Sequence, residues 1–67
     1  MSEKQFWMDA ADAVSYMIEQ GEARSRALCA IGTPSAFRAS VMVDKVTQQL
    51  RNDLIGIGFE VTKHANS

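Results

Sequence analysis

The chain has 67 residues, 46% of them hydrophobic, and a formal net charge of −1. A domain of this length has a small core that supplies only about 3–5 kcal/mol, so such proteins commonly add a disulfide, a metal or a partner chain. Cys29 is the only cysteine and His64 the only histidine, which excludes an internal disulfide and leaves too few ligands for structural zinc. We therefore expect no metal and no cofactor, and we expect stabilisation by association.

The first residues and the net charge bear on the location of the protein and on its macromolecular partners. The first residues are acidic where a signal peptide would be basic, and no run of about 18 apolar residues follows. These observations predict a cytoplasmic protein that does not enter a membrane. The slightly negative net charge disfavours nucleic acid as a partner, although a local basic face would still allow it.

The first predicted helix begins at about residue 3. Ser2 and Gln5 have the spacing of a capping box, in which each side chain hydrogen-bonds the other's backbone amide. One broad apolar face follows at helical spacing: Trp7, Ala10, Ala11, Val14, Met17, Ile18, Gly21, Leu28 and Cys29. The pattern predicts helix over 3–31, with Gly21 either interrupting it or admitting another helix closely.

A corner between helices is predicted in the stretch AIGTPSAFRA. Gly32 suits the end of one helix because it tolerates positive φ, while Thr33 and Pro34 suit the N-cap and first position of the next. A second helix over about 34–57 carries an apolar stripe of Ala36, Ala39, Val43, Val46, Leu50, Leu54 and Ile57. Gly56 or Gly58 would end this helix, residues 59–62 alternate like a short strand, and 58–67 would form a tail.

Together these elements predict one all-α domain over residues 1–67, a hairpin of two long helices. Several large apolar residues remain after each helix has buried one stripe, and a second apolar patch on so small a domain favours association. We expect the hairpin to self-associate into a bundle or to bind another protein. The residues expected to contact that partner are Phe6, Trp7, Tyr16, Phe37, Val41 and Ile55.

Catalytic patterns are weak in this sequence. The acidic residues spaced three apart are typical of a solvated helix face, and Cys29 within ALCAI is expected to be a small buried thiol. The glycines of IGIG lack the lysine of a phosphate-binding loop. We therefore expect a non-catalytic protein, an adaptor, an inhibitor or an assembly component.

Two alternatives remain open for the corner. The first is an anion or nucleotide site at the start of the second helix, built from Thr33, Ser35 and Arg38, with charge from Arg24 and Arg26. The second is a helix-turn-helix that binds DNA, with Gly32 in the turn. Arg38 stands where that motif needs an apolar residue, and the second helix is too long for it.

Overall fold

The fold is an antiparallel helical hairpin. A computed structural model describes residues 2–65 and contains two helices over that range, α1 (Glu3–Ile31) and α2 (Pro34–Lys63). The hairpin measures 51 × 15 × 12 Å, and no strand occurs between residues 2 and 65. The prediction of an all-α hairpin is confirmed.

The start of α1 follows the predicted cap in part. The Ser2 hydroxyl accepts a hydrogen bond from the Gln5 amide at 3.1 Å, which satisfies one of the free amides of the first turn. The Gln5 side chain does not return to Ser2 as the capping box requires, because it donates to Asp9 Oδ1 at 2.8 Å instead. Gly21 does not interrupt the helix, which is continuous for 29 residues.

The corner has the predicted geometry. Gly32 ends α1 with φ of 80°, and among residues 2–65 positive φ is confined to this glycine. Thr33 then caps α2, since its hydroxyl accepts from the Ala36 amide at 3.1 Å and Pro34 follows at the first helical position. A left-handed residue and an N-cap in succession reverse the chain within two residues.

The predicted end of α2 is wrong. The helix does not stop near residue 57, and the residues expected to form a strand, 59–62, are its last turns. Ile57 and Val61 are half-buried against α1, so helical geometry covers apolar surface that an unpaired strand would leave in water. The Thr62 hydroxyl donates to the Gly58 carbonyl at 3.1 Å, and the His64 amide closes the helix on the Glu60 carbonyl at 3.1 Å.

The two helices meet along a seam whose residues alternate in steps of three and four, the spacing of a coiled coil. All of these residues are buried or half-buried: Trp7, Ala11, Val14, Ile18, Gly21, Ser25 and Leu28 on α1, and Ala36, Ser40, Val43, Thr47, Leu50, Leu54, Ile57 and Val61 on α2. Most residues of the predicted stripes lie in this seam, but the predictions passed over Ser25, Ser40 and Thr47 and included neighbours at its edges. As a result Met17, Cys29 and Val46, all predicted to face inward, are exposed.

Small and hydroxyl-bearing residues occupy the tightest part of the seam. Ser40 is 1% exposed and Thr47 is 2% exposed, while Ala36, at 8%, is the one buried apolar residue among those described. The buried hydroxyls bond to their own helix, Ser40 to the Phe37 carbonyl at 2.6 Å and Thr47 to the Val43 carbonyl at 2.8 Å. These bonds remove the cost of burying a polar group, but such a seam contributes little apolar burial.

Thr47 packs directly onto Gly21. A Cβ added to Gly21 would collide with the Thr47 hydroxyl and would lie 3.3 Å from the Thr47 Cβ. Glycine is therefore needed for the close approach of α1 and α2, which settles the alternative that the sequence left open.

Candidate protein-interaction surface

Large apolar side chains lie mainly on the outside of the hairpin. Those exposed among residues 2–65 are Phe6, Met8, Tyr16, Met17, Ile31, Phe37, Val41, Met42, Val46, Ile55 and Phe59. The accessible surface of the chain is 4900 Å², whereas a compact monomer of 7.4 kDa exposes about 4,200 Å². The hairpin therefore exposes about 700 Å² more than a self-sufficient domain of its mass.

A groove runs along one side of the seam, midway along the hairpin, with a volume of about 490 Å³. The residues that line it are Tyr16, Met17, Gln20, Gly21 and Arg24 from α1, and Met42, Val43, Val46, Thr47 and Leu50 from α2. Gly21 and Thr47 belong to the seam and form its floor, while Met17, Met42 and Val46 are exposed along its walls. Arg24 is the only charged residue in the lining.

The opposite side of the seam carries a second apolar area, the Phe37 face, made of Phe37, Val41, Ile55 and Phe59. Charged groups divide it. Arg51 Nη2 lies 2.9 Å from Glu22 Oε2, and this ion pair joins α2 to α1 between the two apolar ends. Both side chains are more than one-third exposed, so the pair contributes no more than about 1 kcal/mol.

The predicted contact residues do not lie on a single surface. Tyr16 lines the groove, whereas Phe37, Val41 and Ile55 belong to the Phe37 face. Phe6 and Trp7 are at the open end of the hairpin, where their rings meet edge to face with centroids 5.1 Å apart. Trp7 is half-buried, and its Nε1 is buried without a hydrogen-bond partner.

Sequence reasoning missed three groove residues, Met17, Met42 and Val46. Met17 and Val46 were placed in the interior, and Met42 was not singled out. The missed signal is the spacing of small residues: Ser40 and Thr47 are seven apart, as coiled-coil seam positions are. Placing them in the seam rotates Met42 and Val46 outward, because each lies on the helix wheel to one side of it.

The residues proposed for an anion site are spread over the hairpin. The Thr33 hydroxyl already caps α2, and Ser35 Oγ lies 3.4 Å from it. Arg24 lines the groove rather than the corner, and Arg26 points elsewhere because residues two apart on a helix differ by about 200°. The alternative of a helix-turn-helix meets a different difficulty: α1 and α2 are antiparallel, whereas that motif crosses its helices at about 90–120°.

The described part of the chain shows no site typical of metal or covalent chemistry. No group of three His, Cys, Asp or Glu side chains converges within residues 2–65. Cys29 is exposed rather than buried as expected, and its thiol donates to Ser40 Oγ at 3.4 Å. Neither α1 nor α2 is long and apolar enough to cross a membrane.

No protein-family model, curated protein or solved structure matches this chain.

Proposed function

We propose that this chain is a non-catalytic protein-interaction module that acts in an assembly, either with further copies of itself or with another protein. The observation that supports the proposal is that large apolar side chains are exposed while the most buried positions hold small residues. Ala36 is the one buried apolar residue described, while eleven large apolar side chains are exposed. So many exposed large apolar side chains on a small domain are typical of a protein that uses its surface for interaction.

The energetics of the hairpin favour the same conclusion. Full burial of a large apolar side chain stabilises a protein by about 1.5–3 kcal/mol, and no large apolar side chain described reaches full burial within the isolated chain. The seam gains stability from half-buried residues, but its most buried positions are serine, threonine and alanine. Covering the outer faces with a second molecule supplies the burial that the hairpin lacks.

The groove supports binding rather than catalysis. No His, Cys, Asp or Glu lines it, so the groove lacks the side chains that most often act as general acids or bases, and Tyr16 and Thr47 have no such group beside them to activate them. Its lining consists mainly of Met, Val, Leu and Tyr side chains with Arg24 and Gln20 among them. Flexible methionines and an aromatic residue are common at protein interfaces.

The proposal is tested by the dependence of thermal unfolding on protein concentration. If folding and dimerisation are coupled, a 100-fold increase in concentration stabilises the assembly by about 2.7 kcal/mol. For two chains of this length, that corresponds to a rise in Tm of about 10 °C. Circular dichroism at 222 nm between 1 and 100 µM, with sedimentation at the same concentrations, gives the measurement.

Glu22→Gln serves as the control, because it removes an exposed ion pair that lies away from the groove and leaves the apolar surfaces intact. Its Tm should rise with concentration as the wild type does. A wild-type chain that sediments as a monomer throughout and melts at one temperature over this range would contradict assembly with further copies of itself.

A further inference from the structure

We infer that the groove is the docking site for a second copy of this chain, placed antiparallel so that two hairpins form a four-helix bundle. This inference rests on the proposed function and goes further, since it names both the occupant and the face. The second copy approaches the lining of Tyr16, Met17, Met42 and Val46, and the Phe37 face stays on the outside of the dimer.

The size of the surplus surface fits one partner of this kind. A stable dimer buries about 800 Å² on each partner, and the hairpin exposes about 700 Å² more than a compact monomer of its mass. One side of the hairpin is 51 Å long and 15 Å wide. A second hairpin lying along that side covers an area of the required size without extending beyond it.

The position of the groove favours a two-fold axis through it. Gln20 and Val46 lie at the centre of its two walls, each within about three residues, or 5 Å, of the midpoint of its helix. A two-fold axis near these residues, perpendicular to the helices, overlaps two copies along most of their 51 Å length. Closed two-fold dimers are also the commonest assemblies, because one patch serves both partners.

The α1 wall is self-complementary about such an axis. Tyr16 and Arg24 are each four residues from Gln20, or about 6 Å along the helix. Antiparallel packing of α1 on the partner's α1 therefore brings Arg24 level with the partner's Tyr16, an arrangement that suits a cation over an aromatic ring. The two Arg24 side chains start about 12 Å apart, beyond the screening length of about 8–10 Å.

The remaining groove residues are also compatible with self-pairing. A glutamine amide both donates and accepts, so Gln20 on the axis can bond to the partner's Gln20. On α2, Met42 and Leu50 lie four residues on either side of Val46, and each comes level with the other residue of the partner. Apolar side chains then meet apolar side chains across the α2 half of the interface.

The Phe37 face is less suited to a second copy. The Arg51–Glu22 ion pair lies between its two apolar ends, and Asp44 follows Val41 by less than one turn. A copy that covered this face would remove these charges from water, which costs free energy unless each charge gains a partner. The groove at the centre of the other side presents no acidic group and a single cation, so desolvation opposes docking less at that centre.

The test compares two variants of the full chain, Val46→Glu and Ile55→Glu. Val46 is 61% exposed in the groove wall, and Ile55 is 62% exposed on the Phe37 face, so a charge at either position disturbs the isolated hairpin equally little. In sedimentation equilibrium, Val46→Glu should weaken dimerisation at least about 100-fold, because the carboxylate is buried without a partner. Ile55→Glu should keep the wild-type dissociation constant.

A cross-link provides a measurement that does not depend on stability. In a Cys29→Ser background, Gln20→Cys lies at the two-fold axis and should give a disulfide-linked dimer on mild oxidation, whereas Ile55→Cys should not. Two results would overturn the groove as the interface without contradicting association. One is a wild-type dissociation constant in Val46→Glu. The other is dissociation in Ile55→Glu, and cross-linking in Ile55→Cys, with no effect of the groove variants. A monomeric wild type would remove both this inference and the self-association part of the proposed function.

Discussion

Substitution of Gly21 by alanine tests whether the close approach of the two helices is required. In a helix that touches nothing, Gly→Ala stabilises by about 0.8–1 kcal/mol, because alanine loses less backbone entropy on folding. At Gly21 the new methyl group would collide with the Thr47 hydroxyl, and it would also lie 3.3 Å from Thr47 Cβ and 3.4 Å from Thr47 Cγ2.

The collision is not relieved by rotating a single bond. A different Thr47 rotamer breaks the hydrogen bond of its hydroxyl to the Val43 carbonyl, and the Cβ contact stays. The helices must then separate, and overpacking of this kind costs about 1–3 kcal/mol. Set against the gain in helix propensity, the net effect of Gly21→Ala should be a loss of about 1 kcal/mol, or about 4–8 °C in Tm.

Gly56→Ala is the matched control, since a Cβ at Gly56 meets nothing within 4 Å. It should stabilise the protein by about 0.5–1 kcal/mol. Urea unfolding followed by circular dichroism, at one fixed protein concentration, measures both variants. Gly21→Ala that stabilises as much as Gly56→Ala would refute the close approach, whereas restoration of the gain in a Thr47→Ala background would support it.

Two further predictions concern the corner and the open end of the hairpin. Gly32→Ala should lower the stability by about 1 kcal/mol in urea unfolding, because φ of 80° places a Cβ against the backbone; an unchanged midpoint would contradict that geometry. Trp7→Phe should leave the stability within about 1 kcal/mol of wild type, because it removes the buried, unpaired indole N–H along with some apolar contact. A loss above about 2 kcal/mol would show that Nε1 has a partner in solution.

The parts of the fold that depend on local chemistry were predictable from the sequence. Ser2 and Thr33 mark the starts of α1 and α2, and Gly32 marks the end of α1, because capping depends on residues within one turn. The end of α2 was not predictable in this way. Gly56 and Gly58 resemble stop signals, but the helix continues past both glycines, with Ile57 and Val61 half-buried in the seam.

The candidate surface was harder to predict than the fold. A prediction from hydrophobicity buries Val46 and leaves Thr47 outside. In the structure Thr47 is buried instead, because its hydroxyl donates to the Val43 carbonyl and its small side chain fits against Gly21. With Thr47 in the seam, Val46 is exposed beside it, and Met17 is exposed on the facing wall of the groove. Whether Val46 or Thr47 is buried depends on how α2 fits against α1, so the pattern of residues within α2 alone does not predict it.

The hydroxyls of Ser40 and Thr47, bonded within α2, have a consequence for how α1 recognises α2. Their hydroxyl hydrogens are donated within α2, and α1 adds the Cys29 thiol, which donates to Ser40 Oγ at 3.4 Å. Because a thiol is a weak donor, this stretch recognises a neighbouring helix mainly by shape. A foreign helix with small residues at the same spacing would fit nearly as well. Fidelity must then come from the tether at Gly32 and Thr33, which holds α1 beside α2 at an effective concentration on the order of millimolar or above.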